Sequence, residues 1–188
     1  MSLTTRETAL YEQVWDLPAY ATHAPGTVYL PVLQAHVPAG ARVLDAGTGS
    51  GKGAVALADA GYDVIQCDLT DTGLVEAARS LPFVKACLWK SLLAQGLPRV
   101  DAVYCTDVLE HLPTQFTMLA VRHLLDVARQ GLLLSVSTVP DAFGAWVGTA
   151  LHQTVQPFVW WRDALREVGV VQDARDLVGD AVFWVTPR

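Results

Sequence analysis

Short apolar runs along the chain alternate with stretches in which apolar residues recur every three or four positions, and glycines or prolines separate the two kinds. That alternation predicts strands and helices in turn. A first helix is expected over residues 4–15, ended by Leu17-Pro18, and a second over 28–37, between Ala24-Pro25-Gly26 and Pro38-Ala39-Gly40. Val43-Leu44-Asp45-Ala46 opens the first strand, and further strands are expected over 62–67, 83–88, 100–105 and 132–137. Residues 100–105 are continuously apolar, as suits a central parallel strand covered on both faces. The helices between them are expected from about Lys52 through 54–60, over 72–80 and over 114–128, with Gly61 just past the first and Pro113 opening the last. A final helix over 158–168 precedes a hairpin of 170–174 and 181–185. The fold class is therefore α/β, a doubly wound and mostly parallel sheet closed by an antiparallel pair.

Where the first strand ends, Asp45-Ala46-Gly47-Thr48-Gly49-Ser50-Gly51-Lys52-Gly53 places a glycine at every second position. Glycine is needed where the backbone takes positive φ or a ligand touches the main chain, and the helix that follows points its first N–H groups into the same loop. Spacing separates the possible motifs. A P-loop would put its first glycine on Ala46 and its magnesium-binding hydroxyl on Gly53, and a dinucleotide fingerprint would put its third glycine on Lys52. Asp-x-Gly-x-Gly-x-Gly fits at every position. Asp68 closes the second strand about 20 residues past the first glycine, the place from which a carboxylate can accept both hydroxyls of a ribose; the alternative is an acid that only caps a turn.

Composition narrows the class. The 188 residues suit one domain without repeat or linker, and 52% hydrophobic against 17% charged residues describe a well-cored protein. No apolar run approaches the roughly 20 residues of a membrane span, and the first twelve residues lack the apolar core of a signal peptide, so a cytoplasmic location is expected. Cys67, Cys87 and Cys105 have neither disulfide nor zinc spacing and read as buried thiols. A net charge of −6 disfavours nucleic acid as a partner.

The strand, acid and glycine loop resemble the first motif of the class I S-adenosylmethionine-dependent methyltransferases, and Thr106-Asp107-Val108-Leu109-Glu110-His111-Leu112-Pro113 is similar to their segment after strand four. The resemblance covers nearly all the chain from about Val28. It implies a Rossmann-like sheet of order 3-2-1-4-5-7-6, preceded by an N-terminal flap over residues 1–27 and overhung by a lid loop over 138–156. It also implies S-adenosylmethionine as cofactor, S-adenosylhomocysteine as product, and a small molecule methylated at oxygen or nitrogen. Asp45, Gly47, Thr48, Gly49 and Gly51 would form the cofactor loop, Asp68 would hold the ribose, and Asp107 would lie near the methionine portion. Family members often carry an acid after strand three for the adenine amino group. This chain has Cys87-Leu88-Trp89-Lys90 there, so backbone near Leu88 and packing by Trp89 or Leu69 would take its place, unless Trp89 is plain core.

Methyl transfer needs an aligned nucleophile and sometimes a base. His111 and His152 are the candidates, because an imidazole titrates near neutrality. Asp107, Glu110, His111 and His152 also match the metal-binding pattern of RNA 2′-O-methyltransferases and some ubiquinone-pathway enzymes, which leaves a metal-assisted variant open. The remaining rivals are a protein that binds the cofactor without catalysis and an NAD-dependent oxidoreductase. The segment after strand four lacks the Pro-Pro of DNA amino-methyltransferases, and Tyr104 precedes Cys105 where a cytosine methyltransferase has proline. Tyr11, Trp15 and Tyr20 recur at helical spacing and either pack on the core or close over the cofactor. Trp146, Trp160 and Trp161 wall a pocket or belong to the core, and His23, His36 and His123 read as solvated or structural.

Overall fold

The computed structural model describes residues 2–22 and 25–188; His23 and Ala24, for which a solvated or structural histidine and a turn were expected, lie outside them. The chain opens with helices α1 (Leu3–Trp15) and α2 (Pro18–Thr22), a 3-10 turn over Pro25–Thr27 and α3 (Leu30–Gln34). It then alternates through β1 (Arg42–Ala46), α4 (Lys52–Asp59), β2 (Asp63–Asp68), β3 (Phe83–Lys85), β4 (Val100–Thr106), α5 (Thr114–Val127) and β5 (Ala128–Ser137). The short α6 (Gly144–Val147), then α7 (Phe158–Val168), β6 (Val170–Asp176) and β7 (Asp180–Thr186) complete it. The seven strands form one sheet of order β3-β2-β1-β4-β5-β7-β6, as the resemblance implies. β1 to β5 are parallel, and β7 runs antiparallel to both neighbours.

The period-2 pleat sorts the central strands into two cores. Leu44, Val103, Cys105, Leu132, Leu134 and Phe183 face the side covered by α5 and α7. Val43, Ala102, Tyr104, Leu133, Val182 and Trp184 face the side covered by α3 and α4. Both neighbours in each pair are buried, which is why these strands read as continuous apolar runs. Burying one such aliphatic side chain stabilises the fold by about 1.5–3 kcal/mol. Trp161 is fully buried and Trp160 packs against the same cluster, so that pair belongs to the core and does not wall a pocket.

Three elements depart from the pattern-based expectation. The second helix shrinks to Leu30–Gln34, with Pro31 at its start and Tyr29, Leu33 and Val37 turned inward. The helix expected over 72–80 is only a 3-10 turn over Glu76–Ser80. The chain before it is drawn to the glycine loop: Val75 N–H donates to Ser50 O at 2.9 Å, and Gly73 lies against the Trp15 ring, where a Cβ would come within 2.4 Å. β3 ends at Lys85, because Gln95 substitutes for a neighbouring strand at Cys87. Its Oε1 accepts the Cys87 N–H at 2.8 Å and its Nε2 donates to Cys87 O at 3.0 Å. Among the described residues no helix is long and apolar enough to cross a membrane. Cys67, Cys87 and Cys105 are buried and free.

Candidate functional site

In an open α/β sheet, ligands bind beyond the carboxyl ends of the parallel strands, where the strand order reverses. Here β1 and β4 end side by side at that point, and a cavity of about 440 Å³ opens over them. The glycine loop forms its floor. Gly47, Gly49 and Gly51 have φ of 74°, 54° and 74°, the left-handed region that side chains rarely enter. A Cβ on Gly47 would meet Val108 at 2.5 Å, and one on Gly49 would meet the Trp15 ring at 2.8 Å; both neighbours line the cavity. Gly51 is not among the residues that line the cavity, where Ser50 and Gly53 are; a Cβ on it would strike Ala78 at 2.3 Å, so it packs beneath the loop.

Two acids tie the loop down. Thr48 Oγ1 donates to Asp45 Oδ2 at 2.7 Å. Burial raises the Asp45 carboxyl to about 7, partly offset by the bonds from Thr48 and the Ala54 N–H. Asp68 accepts the Gly49 N–H on Oδ2 at 2.8 Å and the Leu69 N–H on Oδ1 at 2.6 Å. Burial outweighs these bonds and pushes its carboxyl up. Each carboxylate oxygen keeps a further lone pair, so hydroxyls in the cavity can still be accepted. Leu69, Leu88 and Trp89 also line the cavity, and Trp89 packs against Phe116 at 5.9 Å.

Beyond the loop, Asp107 lines the cavity with φ 53°, the one positive value outside glycine among the described residues. Aspartate tolerates that region better than most residues. Its N–H donates to Ser135 O at 3.1 Å, and Ser135 Oγ donates to its Oδ1 at 3.4 Å. A 3-10 turn over Leu109–His111 follows, in place of the single α-turn that would have brought Asp107, Glu110 and His111 together. Glu110, His111 and His152 do meet, with one ligand atom of each within 4.8 Å of the others, and Asp107 is not of that group. Glu110 is fully buried: Oε1 accepts the Ser137 N–H at 2.7 Å, and Oε2 has no hydrogen-bond partner. Burial first, and the Asp107 charge second, push its carboxyl well above the ordinary range. His111 Nδ1 bonds Leu151 O at 3.2 Å and His152 Nδ1 bonds Val139 O at 2.7 Å. A carbonyl only accepts, so each Nδ1 carries a proton and each neutral ring has its lone pair on Nε2. One carboxylate and two imidazoles suit zinc or manganese better than magnesium.

Segments far along the chain roof the cavity. Glu7, Tyr11, Trp15 and Tyr20 come from α1 and α2, and Pro140, Asp141, Phe143 and His152 from residues 138–156. Tyr20 bridges the two groups, edge-on to Trp15 at 4.9 Å and to Phe143 at 5.3 Å. Trp146 stays outside, 60% exposed and packed on Phe143. Asp141 organises the loop by accepting the N–H groups of Gly144, Leu151 (2.8 Å) and His152 (3.2 Å). Burial raises its carboxyl, but those donors outweigh it and leave it below the ordinary range. Glu7, Asp141, Phe143 and Asp180 carried no local signal in the sequence; only the fold brings them to the site. His36 stacks on Trp184 and His123 bonds Leu88 O at 3.1 Å, both structural as expected.

Residues 44–134 match the family model described as "Methyltransferase domain". The chain is 34% identical over 146 residues to the ubiquinone biosynthesis O-methyltransferase of Xanthomonas axonopodis pv. citri, covering 72% of this chain and 61% of that protein. It is 35% identical over 113 residues to the magnesium-protoporphyrin O-methyltransferase of a Synechocystis strain, covering 57% of this chain and 48% of the relative. The chain thus spans about half to three-fifths of the length of these curated relatives. Among solved structures, it aligns with the Burkholderia thailandensis 1,6-didemethyltoxoflavin-N1-methyltransferase with bound 1,6-didemethyltoxoflavin and S-adenosylhomocysteine. The TM-score is 0.67 at 18% identity, over 100% of this chain and 91% of that one, a likeness of fold. With its glycine loop, sheet order and matched segment in agreement, the chain belongs to the class I S-adenosylmethionine-dependent methyltransferases.

Proposed function

We propose that the chain is a cytoplasmic enzyme of one methyltransferase domain that binds S-adenosylmethionine in this cavity and methylates oxygen or nitrogen of a small molecule, leaving S-adenosylhomocysteine. The observation that carries the reading is the continuity of one cavity from Gly47, Gly49 and Asp68 at one end to His111 and His152 at the other. A cofactor and the atom it modifies can therefore share one cavity. When bound, the sulfonium supplies a methyl group already activated by its charge.

The residues present fit that group. The paired left-handed glycines keep side chains out of the loop floor, and Asp68 retains lone pairs for a ribose. Leu69, Leu88 and Trp89 offer apolar surface for a purine. Asp45 orders the loop from beneath, and Asp107 stands near the methionine portion. His111 or His152 takes the acceptor's proton on Nε2, while α1, α2 and residues 138–156 act as flap and lid that exclude water. A divalent ion at Glu110, His111 and His152 is the competing reading, and calorimetric titration of chelator-treated protein with manganese or zinc separates the two.

Calorimetric titration with S-adenosylmethionine and S-adenosylhomocysteine tests the proposal. Saturable binding is expected, weakened in Asp68→Ala by about 1.5–3 kcal/mol for a lost charged hydrogen-bond partner. Failure of both compounds to bind the parent chain would sink it.

A further inference from the structure

Lys52 opens the helix that leaves the glycine loop, at a place where a cation is locally unfavourable. The positive end of the α4 dipole lies there, Gly51 caps it without a side-chain bond, and no acid stands in the first turn. With the phosphate-loop register excluded, the ammonium has no phosphate to meet. A residue that breaks a local preference without local compensation takes its gain from a tertiary contact.

That contact is with the flap. Lys52 Nζ donates to the carbonyls of Ala21 and Thr22 at 3.1 and 3.4 Å. They are the last two carbonyls of α2, and the closing carbonyls of a helix lack intrahelical partners and form its negative end. The other hydrogen bonds of this five-residue helix are local. Tyr20 and Ala21 N–H donate to Leu17 O at 3.0 and 3.1 Å, and Thr22 Oγ1 donates to Ala19 O at 2.8 Å. Among the described residues, the two bonds from Lys52 are the hydrogen bonds that fasten α2 to the part of the fold beneath the cavity.

The helix so fastened carries Tyr20, which lines the cavity and lies edge-on to Trp15 at 4.9 Å and to Phe143 at 5.3 Å, joining flap to lid. On the far side of the roof the lid is tied separately, by Gln153 Nε2 donating to Glu7 Oε2 at 3.3 Å and Gln153 N–H to Glu110 O at 2.7 Å. Lys52 is the counterpart on the loop side.

We propose that Lys52 is a positioning residue that holds α2 and Tyr20 down over bound S-adenosylmethionine, and so sets how long cofactor and product stay; this rests on the methyl-transfer reading above. Lys52 itself is not among the residues that line the cavity. Opening the flap breaks two charge-assisted bonds and returns the ammonium to water, and closing remakes them. Because water replaces the carbonyls, the net gain of closure is modest. A roof that opens in every turnover needs a tie of that strength.

The test compares the parent chain with Lys52→Met, which keeps an unbranched side chain of good helix propensity and removes the cation, and with Lys52→Arg, which keeps a cation and its donors. Stopped-flow mixing with rising concentrations of S-adenosylhomocysteine, followed by tryptophan fluorescence, gives the association rate from the slope and the dissociation rate from the intercept. Trp15 and Trp89 in the cavity wall supply the signal. Lys52→Met should release the ligand about three- to tenfold faster, as suits a charged donor lost from a partly buried site, and should bind it no more slowly. Lys52→Arg should keep release slow. In the ligand-free protein, hydrogen exchange should show the Tyr20 and Ala21 amides losing protection in Lys52→Met, while Tm stays near the parent's because the start of α4 sheds an unfavourable charge. Release from Lys52→Met as slow as from the parent would overturn the inference, as would unchanged protection of those amides. So would faster release with a lowered Tm, the mark of a general support of the fold. Failure of the parent chain to bind S-adenosylhomocysteine is a separate result that removes the methyl-transfer reading, and the α2 amides then still decide whether Lys52 fastens the flap.

Discussion

Gly51→Ala probes whether the third glycine of the loop serves packing or the cofactor. Gly51 caps α4 at φ 74°, and an added Cβ would lie 2.3 Å from Ala78 Cβ, 2.9 Å from Gln66 Oε1 and 3.0 Å from Leu74 Cδ2. These neighbours cannot retreat cheaply. Ala78 and Gln66 are fully buried, and Gln66 Nε2 donates to Ala78 O at 2.9 Å. The left-handed backbone costs a side chain about 1–2 kcal/mol, and overpacking a filled core adds about 1–3 kcal/mol. Together Gly51→Ala should lose about 2–5 kcal/mol. Gly96 supplies the control, with φ 90° and nothing within 4 Å of an added Cβ, so Gly96→Ala should show the backbone cost alone. Urea unfolding followed by circular dichroism gives both values by linear extrapolation. If Gly51→Ala loses no more than Gly96→Ala, crowding is not what excludes a side chain, and the glycine would be there to meet a ligand.

Acidification should stabilise the ligand-free protein. Burial raises Asp45 to about 7, so folding favours its protonated form. That contribution is complete below the unfolded value of about 3.9 and is lost as pH rises through about 7. Asp68 and Glu110 are raised as well and act in the same sense. Tm should therefore fall between about pH 5 and about pH 8, and Asp45→Asn should flatten the curve; a Tm that rises over this range refutes the assignment. Gln95→Ala removes the acceptor of the Cys87 N–H and one donor to the Cys87 carbonyl, which keeps the Lys90 N–H at 3.0 Å, and should cost about 1–3 kcal/mol. Hydrogen exchange should show the Cys87 amide losing protection, and unchanged protection would mean that another group ends β3.

Legibility in the sequence follows the range over which a signal acts. The strands and the sheet's hand-over from parallel to antiparallel were readable, because alternation and continuous apolar runs report burial one residue at a time. The glycine loop and Asp68 were readable because positive φ and a strand-end acid are requirements of a few adjacent residues. Residues 72–80 have a helical pattern and still form no α-helix, since Gly73 must admit the Trp15 ring and Val75 must bond the glycine loop. The same ring rests on Gly49, so one aromatic side chain of α1 explains a glycine of the motif and a helix that fails to form. Glu110 looked like a member of a ligand set, and its burial was hidden because the turn that carries it also holds the returning lid, through Glu110 O and the N–H groups of Gln153 and Thr154 at 2.7 and 2.8 Å. Such double duty has no periodicity. Trp15 and Glu110 connect the first helix and the lid to the ends of the central strands, so the roof cannot be read from the segments that form it. The floor can, because its constraints are local; a chain with this floor and different roof segments would keep the cofactor loop and present a different surface to the acceptor.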